Sequence, residues 1–198
     1  MGTIIFSQMA YAETDQELLA SGQWRDPKTG LIWMRCSVGQ TWTGSTCMGT
    51  PTKITGFSAH SFTASLKHGK GFAGHKDWRL PTPYELSTIR VCSAGWQRKI
   101  SHSAANVDGR VTEVQGDIDL EPLSYSGSGN LYVPKKCVDN SKAPTLNTKI
   151  FPNSPAFAWW TNEEWKTYEV WSVSFRNGVI YTQGGNFIGD GHMRLVRK

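Results

Sequence analysis

The sequence predicts an α+β domain: short helices packed on small antiparallel sheets, with loops carrying much of the chain. Three observations predict it. Thr82-Pro83-Tyr84-Glu85 has the residues of a capped helix start. Asn177-Gly178 stands between Val170–Phe175, which alternates, and Val179-Ile180-Tyr181-Thr182, as in a hairpin. Twenty Gly and nine Pro in 198 residues demand many turns, while nine Trp, eight Phe and six Tyr supply large buried area from few residues. The 38% hydrophobic content therefore suffices for a core and excludes wholesale disorder.

The elements follow in order. Ala10-Tyr11-Ala12 closes a short apolar run and is a small-x-small triplet of the type signal peptidase cuts after. Residues 1–23 are accordingly expected to be a signal-peptide remnant and a mobile entry, with one domain over 24–198. Asp26-Pro27-Lys28-Thr29-Gly30 is a turn by composition and sets up a hairpin ending in Leu31–Arg35. Gly39–Gly56 is loop-rich. Phe57, His60, Ala64 and Leu66-Lys67 fall near helical spacing, so 57–68 is expected to be a short helix. The capped helix at Pro83 is expected to run through Leu86, Ile89 and Arg90 towards Cys92. Residues 93–136 are polar and rich in turn residues and are expected to be an insertion with short strands near Val111, Val114, Ile118 and Leu120. Asn177-Gly178 predicts a type I′ turn, and Met193–Arg197 a final strand.

Composition narrows the function. The net charge is +5, and the excess is spread: nine basic and six acidic residues over 1–92, five of each over 93–137, seven and five over 138–198. Nucleic-acid binding concentrates basic charge on one face, so it is not expected; an anionic polysaccharide is a more permissive partner. No run approaches the ~18 apolar residues of a membrane span. Cys36, Cys47, Cys92 and Cys137 allow three disulfide connectivities. Cys36–Cys47 across a short loop and Cys92–Cys137 across the insertion are favoured over free thiols, in keeping with export to the periplasm, cell surface or medium. No CxxC, nucleophile elbow, zinc-protease helix or phosphate loop occurs, so neither a catalytic residue nor a cofactor is assigned. The five His lack ligand spacing. Asp117, Asp119 and Glu121 could face one side of an extended segment, but they read as a solvated acidic edge, and no metal is assigned. Trp159 and Trp171 are expected in the core; Trp165 and Tyr168 are expected to face outward.

Several stretches taken together resemble a known family. They are Asp26-x-x-Thr29-Gly30-Leu31-x-Trp33-x-Arg35-Cys36, Gly39-Gln40-Thr41-Trp42-x-Gly44-x-x-Cys47-x-Gly49 and Asp77-Trp78-Arg79-Leu80-Pro81-Thr82-x-x-Glu85-Leu86. Pro144–Pro155, Trp160-Thr161 and Met193-Arg194-Leu195-Val196-Arg197 complete the set. The chain resembles, over about 24–198, the bacterial domain at the C terminus of the Legionella collagen-like adhesin. The resemblance implies a C-type-lectin-like fold, distantly similar to the formylglycine-generating group, and an exported surface protein. Relatives of that fold include the variable receptors of diversity-generating retroelements, whose ligand contacts cluster on C-terminal loops. Transferred here, those are about 160–168 and 183–192. The 93–136 stretch is longer than the pattern expects. The absence of Cys after Cys137 argues against formylglycine-generating chemistry. Glu121-Pro122-Leu123 and Trp160-Thr161-Asn162 depart from the calcium-lectin signatures.

The expectation is therefore a non-catalytic binding module, an adhesin or variable receptor, for a protein or glycan. Trp160, Asn162, Glu164, Trp165 and Tyr168, with Asn186, Phe187, Asp190 and His192, would form its ligand face. A structural subunit of a surface appendage, with an oligomeric interface, is the alternative, and an enzyme of the wider fold a weaker one.

Overall fold

A computed structural model describes residues 12–69, 71–96, 103–105, 111–113, 136–166, 168–184 and 191–198. Its first helix, α1 (Asp15–Ala20), starts at a reciprocal cap: Glu17 N–H donates to the Thr14 hydroxyl (3.3 Å) and Thr14 N–H to the Glu17 carboxylate (2.8 Å). Leu18 is fully buried beneath it. The segment before Trp24 is thus structured from Glu13 onward, contrary to the expected mobile entry; the signal was Thr14-x-x-Glu17 itself. The Glu13 carboxylate accepts hydrogen bonds from Arg197 and, at 3.1 Å, from His75 Nε2. Burial works against its charge, but those two partners outweigh it and hold its pKa below the usual value.

β1 (Gln23–Arg25) and β2 (Ile32–Met34) form the expected hairpin, with Trp24 opposite Trp33. Asp26 stabilises its turn, accepting from Lys28 N–H (3.0 Å) and the Thr29 hydroxyl (2.7 Å). The last strand, β10 (Val196–Arg197), pairs with β2, so the start and end of the domain share one sheet. β3 (Thr41–Trp42) and β4 (Cys47–Met48) make a small ribbon closed by the Cys36–Cys47 disulfide. α2 (Gly56–His68) follows an N-cap at Thr55, as the spacing predicted.

α3 (Pro83–Thr88) begins at the predicted capping box but stops short of Arg90. Arg90 bridges Leu146 instead, and its buried guanidinium donates to the Ser87 and Gly178 carbonyls. Ahead of α3, Arg79 forms a two-pronged pair with Glu85 (2.7 Å each), while its backbone pairs with Val196. Burial opposes the Glu85 charge, but Arg79 and Thr82 hold its pKa down. This segment thus fastens α3 to the terminal sheet.

Within the insertion, β5 (Ser103–Ala105) and β6 (Val111–Glu113) pair antiparallel. Asp117, Asp119, Glu121, Val114, Ile118 and Leu120 lie outside the described residues. The second disulfide, Cys92–Cys137, closes the base of the insertion, so both predicted pairings are present.

The second main sheet has the order β7 (Ala158–Lys166), β8 (Glu169–Ser174), β9 (Ile180–Gly184). It lies between two cores. Trp159, Val173 and Ile180 are aligned across the strands and pack into one cluster with Trp33, Phe151 and Phe175. Trp160 and Val170 face the other cluster, with Ile32, Trp78 and Leu195. The β8–β9 connection is not a type I′ turn. Ser174 N–H reaches Val179 O and Gly178 N–H reaches Ser174 O, both 2.8 Å, which leaves a four-residue loop over 175–178. Phe175 is the reason: fully buried, it donates to Phe157 O and accepts from Thr145 N–H, so the chain dips into the core before returning. Gly178 closes the loop at φ +74°; a Cβ there would lie 2.7 Å from Cys137 Sγ.

Candidate functional site

The predicted ligand face divides in two. Asn162 and Glu164 are exposed on β7, and Tyr168 is 65% exposed at the β7–β8 hairpin tip. The backbone holds these three in place: Asn162 N–H donates to Pro81 O (2.9 Å), and the register shifts on both sides of Glu164. Such irregularities re-aim side chains at a strand end. Tyr168 adopts φ +72°, a left-handed conformation that costs a bulky residue energy. Tyr168→Gly is expected to raise stability by about 1 kcal/mol, as read from urea unfolding, while deleting the exposed ring.

Trp160 and His192 belong instead to the interior and leave the ligand face. Trp160 is fully buried, its indole N–H donates to Ile54 O (2.7 Å), and its ring packs so close to Gly191 that a Cβ there would sit 2.3 Å from Nε1. It ties β7 to the segments at Ile54 and Gly191. Its burial follows from the second core, which covers this face of the sheet. His192 is 4% exposed, lies against the Phe157 and Trp159 rings (5.8 and 5.7 Å), and holds Thr52 O at 3.0 Å through Nδ1. A carbonyl only accepts, so Nδ1 carries the proton. The Trp165 side chain and Asn186, Phe187 and Asp190 lie outside the described residues.

Burial depresses the His192 pKa, more than the Thr52 bond restores it, and Lys53 adds to the depression. In the window below the ordinary histidine value, the unfolded chain then binds the proton more readily than the folded one. Stability is expected to fall as pH drops from 7 towards 5.5. In chemical-denaturation midpoints, His192→Gln should flatten that slope. The Glu13 and Glu85 contributions lie lower, because their depressed carboxylates lose stability only below the ordinary acidic value.

At the other end of this sheet is a feature the motifs did not signal. A recess of about 270 Å³ is lined by Phe157, Ala158, Ser174, Arg176, Tyr181 and Gln183. Strand alternation could have shown that Ser172, Ser174, Tyr181 and Gln183 share a face. The covering of the β7 part of that face by the core could not be read from spacing. Among the described residues, no group of three or more His, Cys, Asp or Glu is placed to hold a metal ion.

The molecule is thus a disulfide-stapled α+β domain with an aromatic hairpin tip and a polar-aromatic recess on one sheet. The model of the Lcl C-terminal domain family matches residues 22–197, and the chain belongs to that family. The membership makes it an adhesin-like domain. No curated protein and no solved structure gives a significant match. Among the described residues, no helix is long and apolar enough to cross a membrane.

Proposed function

We propose that the chain is an exported, non-catalytic binding module of C-type-lectin-like fold that recognises a protein or glycan ligand through its β7–β8 hairpin and the loops after β9. The observation that carries this is Tyr168: an aromatic ring 65% exposed on a strained backbone, at the tip of a hairpin anchored by two cores. Strain held in place by surrounding packing clusters at functional sites. Exposed Tyr supplies contact area at small entropic cost. Asn162 and Glu164 beside it would orient the ligand, as would Trp165. The finer fold assignment is supported by the pairing of the first and last strands and by the second sheet that carries the aromatic hairpin. Family membership and two disulfides support export.

The test is a glycan-array screen of the oxidised chain, with and without calcium and at two salt concentrations. A hit lost in Tyr168→Ala supports the reading, and its salt response separates stacking from charge. A blank array directs the search to exported and host-surface proteins. If Trp165→Ala and Tyr168→Ala together leave binding of the identified ligand unchanged, the assignment is wrong.

A further inference from the structure

The geometry points to a second, smaller site on this sheet: the recess at Phe157, Arg176 and Gln183 takes a single sugar ring bearing a carboxylate, of the uronic-acid type. The inference rests on the binding-module reading and names one subsite of it.

The recess has the parts such a ring needs. Phe157 is 41% exposed, yet its ring is held edge-on by His192 at 5.8 Å and its carbonyl by Phe175 N–H at 2.9 Å. A fixed, exposed aromatic face is a stacking platform for the apolar face of a pyranose. Arg176 is exposed on the β8–β9 loop, and no acidic side chain among the described residues pairs with it. Its planar fork matches a carboxylate with two parallel donors. The Lys53 ammonium, 5.6 Å from the Phe157 centroid, adds positive potential.

The remaining polar groups are held for hydroxyls rather than for another ring. Gln183 donates through Nε2 to Ser172 Oγ (3.0 Å), and its Oε1 lies 3.5 Å from the Tyr181 hydroxyl. An amide so held keeps a second N–H and a second lone pair to offer. Ser174 supplies a hydroxyl at the opposite wall. A volume of about 270 Å³ lies just under the ~300 Å³ lower end of ordinary ligand pockets, which suits one ring and not a stretch of polymer.

The probe is methyl β-glucuronide, with methyl β-glucoside as its uncharged counterpart, titrated into the oxidised full chain and read by saturation-transfer and protein-observed NMR. The glucuronide is expected to bind and the glucoside to bind at least tenfold more weakly. Arg176→Gln should weaken the glucuronide about tenfold to a hundredfold, the range for a lost charged hydrogen-bonding partner. The Arg176 side chain packs against nothing that the fold needs, so this variant is expected to keep the wild-type spectrum. Phe157→Ala and Gln183→Ala should each weaken binding further from the charge. No glucuronide response, an equal response to the glucoside, or an unchanged response in Arg176→Gln overturns the proposal. An array hit that depends on Tyr168 alongside glucuronide silence sinks the recess alone. A glucuronide response with no Tyr168-dependent ligand sinks the hairpin reading alone.

Discussion

Arg194→Ala is expected to cost about 3–5 kcal/mol, measured as the shift in urea or guanidinium midpoint. Arg194 is fully buried, with no carboxylate partner in the described structure. Its guanidinium lies 4.5 Å from the centre of the Phe151 ring and 4.8 Å from that of Trp159. It donates to Met34 O (2.7 Å), Arg35 O (2.5 Å) and Ser154 Oγ (2.7 Å). One side chain thus satisfies the end of β2, the loop before β7 and two core rings. Removal leaves a cavity and three acceptors without their donor, each unsatisfied group costing about 1–3 kcal/mol before relaxation. Arg194→Lys keeps the charge but not the fork, and should recover less than half of the loss. Burial pushes the Arg194 pKa down to about 9. Between that value and the unfolded one the unfolded chain binds more protons, so this group's contribution to stability rises with pH there and is flat below it. The Arg194→Ala deficit should therefore be the same at pH 6 and pH 8. A deficit under 1 kcal/mol at either pH would show that packing alone holds this region.

The contrast between Arg194 and Arg176 explains what the sequence made legible. Most motif residues that carry the family resemblance turn out to hold the scaffold. Asp26 shapes a turn, Arg35 donates to the Ile150 and Lys149 carbonyls, and Arg79 grips Glu85. Asn153, at φ +52°, clasps Cys47 O. These demands are local and stereochemical, so they leave fixed residue types at fixed spacings, and the hairpins, α2, the start of α3 and both disulfides could be read from them. The site is different. Trp160 and Trp165 stand on one strand with similar neighbours, and no periodicity reports that a second core covers Trp160. The recess unites Phe157, Arg176 and Gln183 from three segments, each unremarkable alone. α1 was readable through Thr14-x-x-Glu17, but its six residues lie beside a leader-like run that masks the pattern.

Loss of the Cys92–Cys137 bridge is the second large effect expected, and it should reach the recess. The bridge spans 45 residues, against 11 for Cys36–Cys47. Loop-closure entropy then puts its stabilisation at about 4 kcal/mol and that of the shorter bridge at about 3 kcal/mol. Paired serine variants at 92 and 137 should therefore unfold at lower denaturant than those at 36 and 47. The longer bridge also backs the β8–β9 loop: Cys137 N–H donates to Asn177 O (2.9 Å), and its sulfur lies against Gly178. Arg176 stands in the same loop, directly before Asn177. Releasing Cys137 removes the floor under that loop and lets the Arg176 fork swing away from the Phe157 face. The expected result is a glucuronide response weakened in the Cys92→Ser/Cys137→Ser protein under conditions where it is still folded, and weakened less in the Cys36→Ser/Cys47→Ser protein. Equal stability losses would argue that the insertion is already constrained in the unfolded chain. An unchanged glucuronide response in the first variant would show that Phe175, buried in the core, positions Arg176 without help from the disulfide.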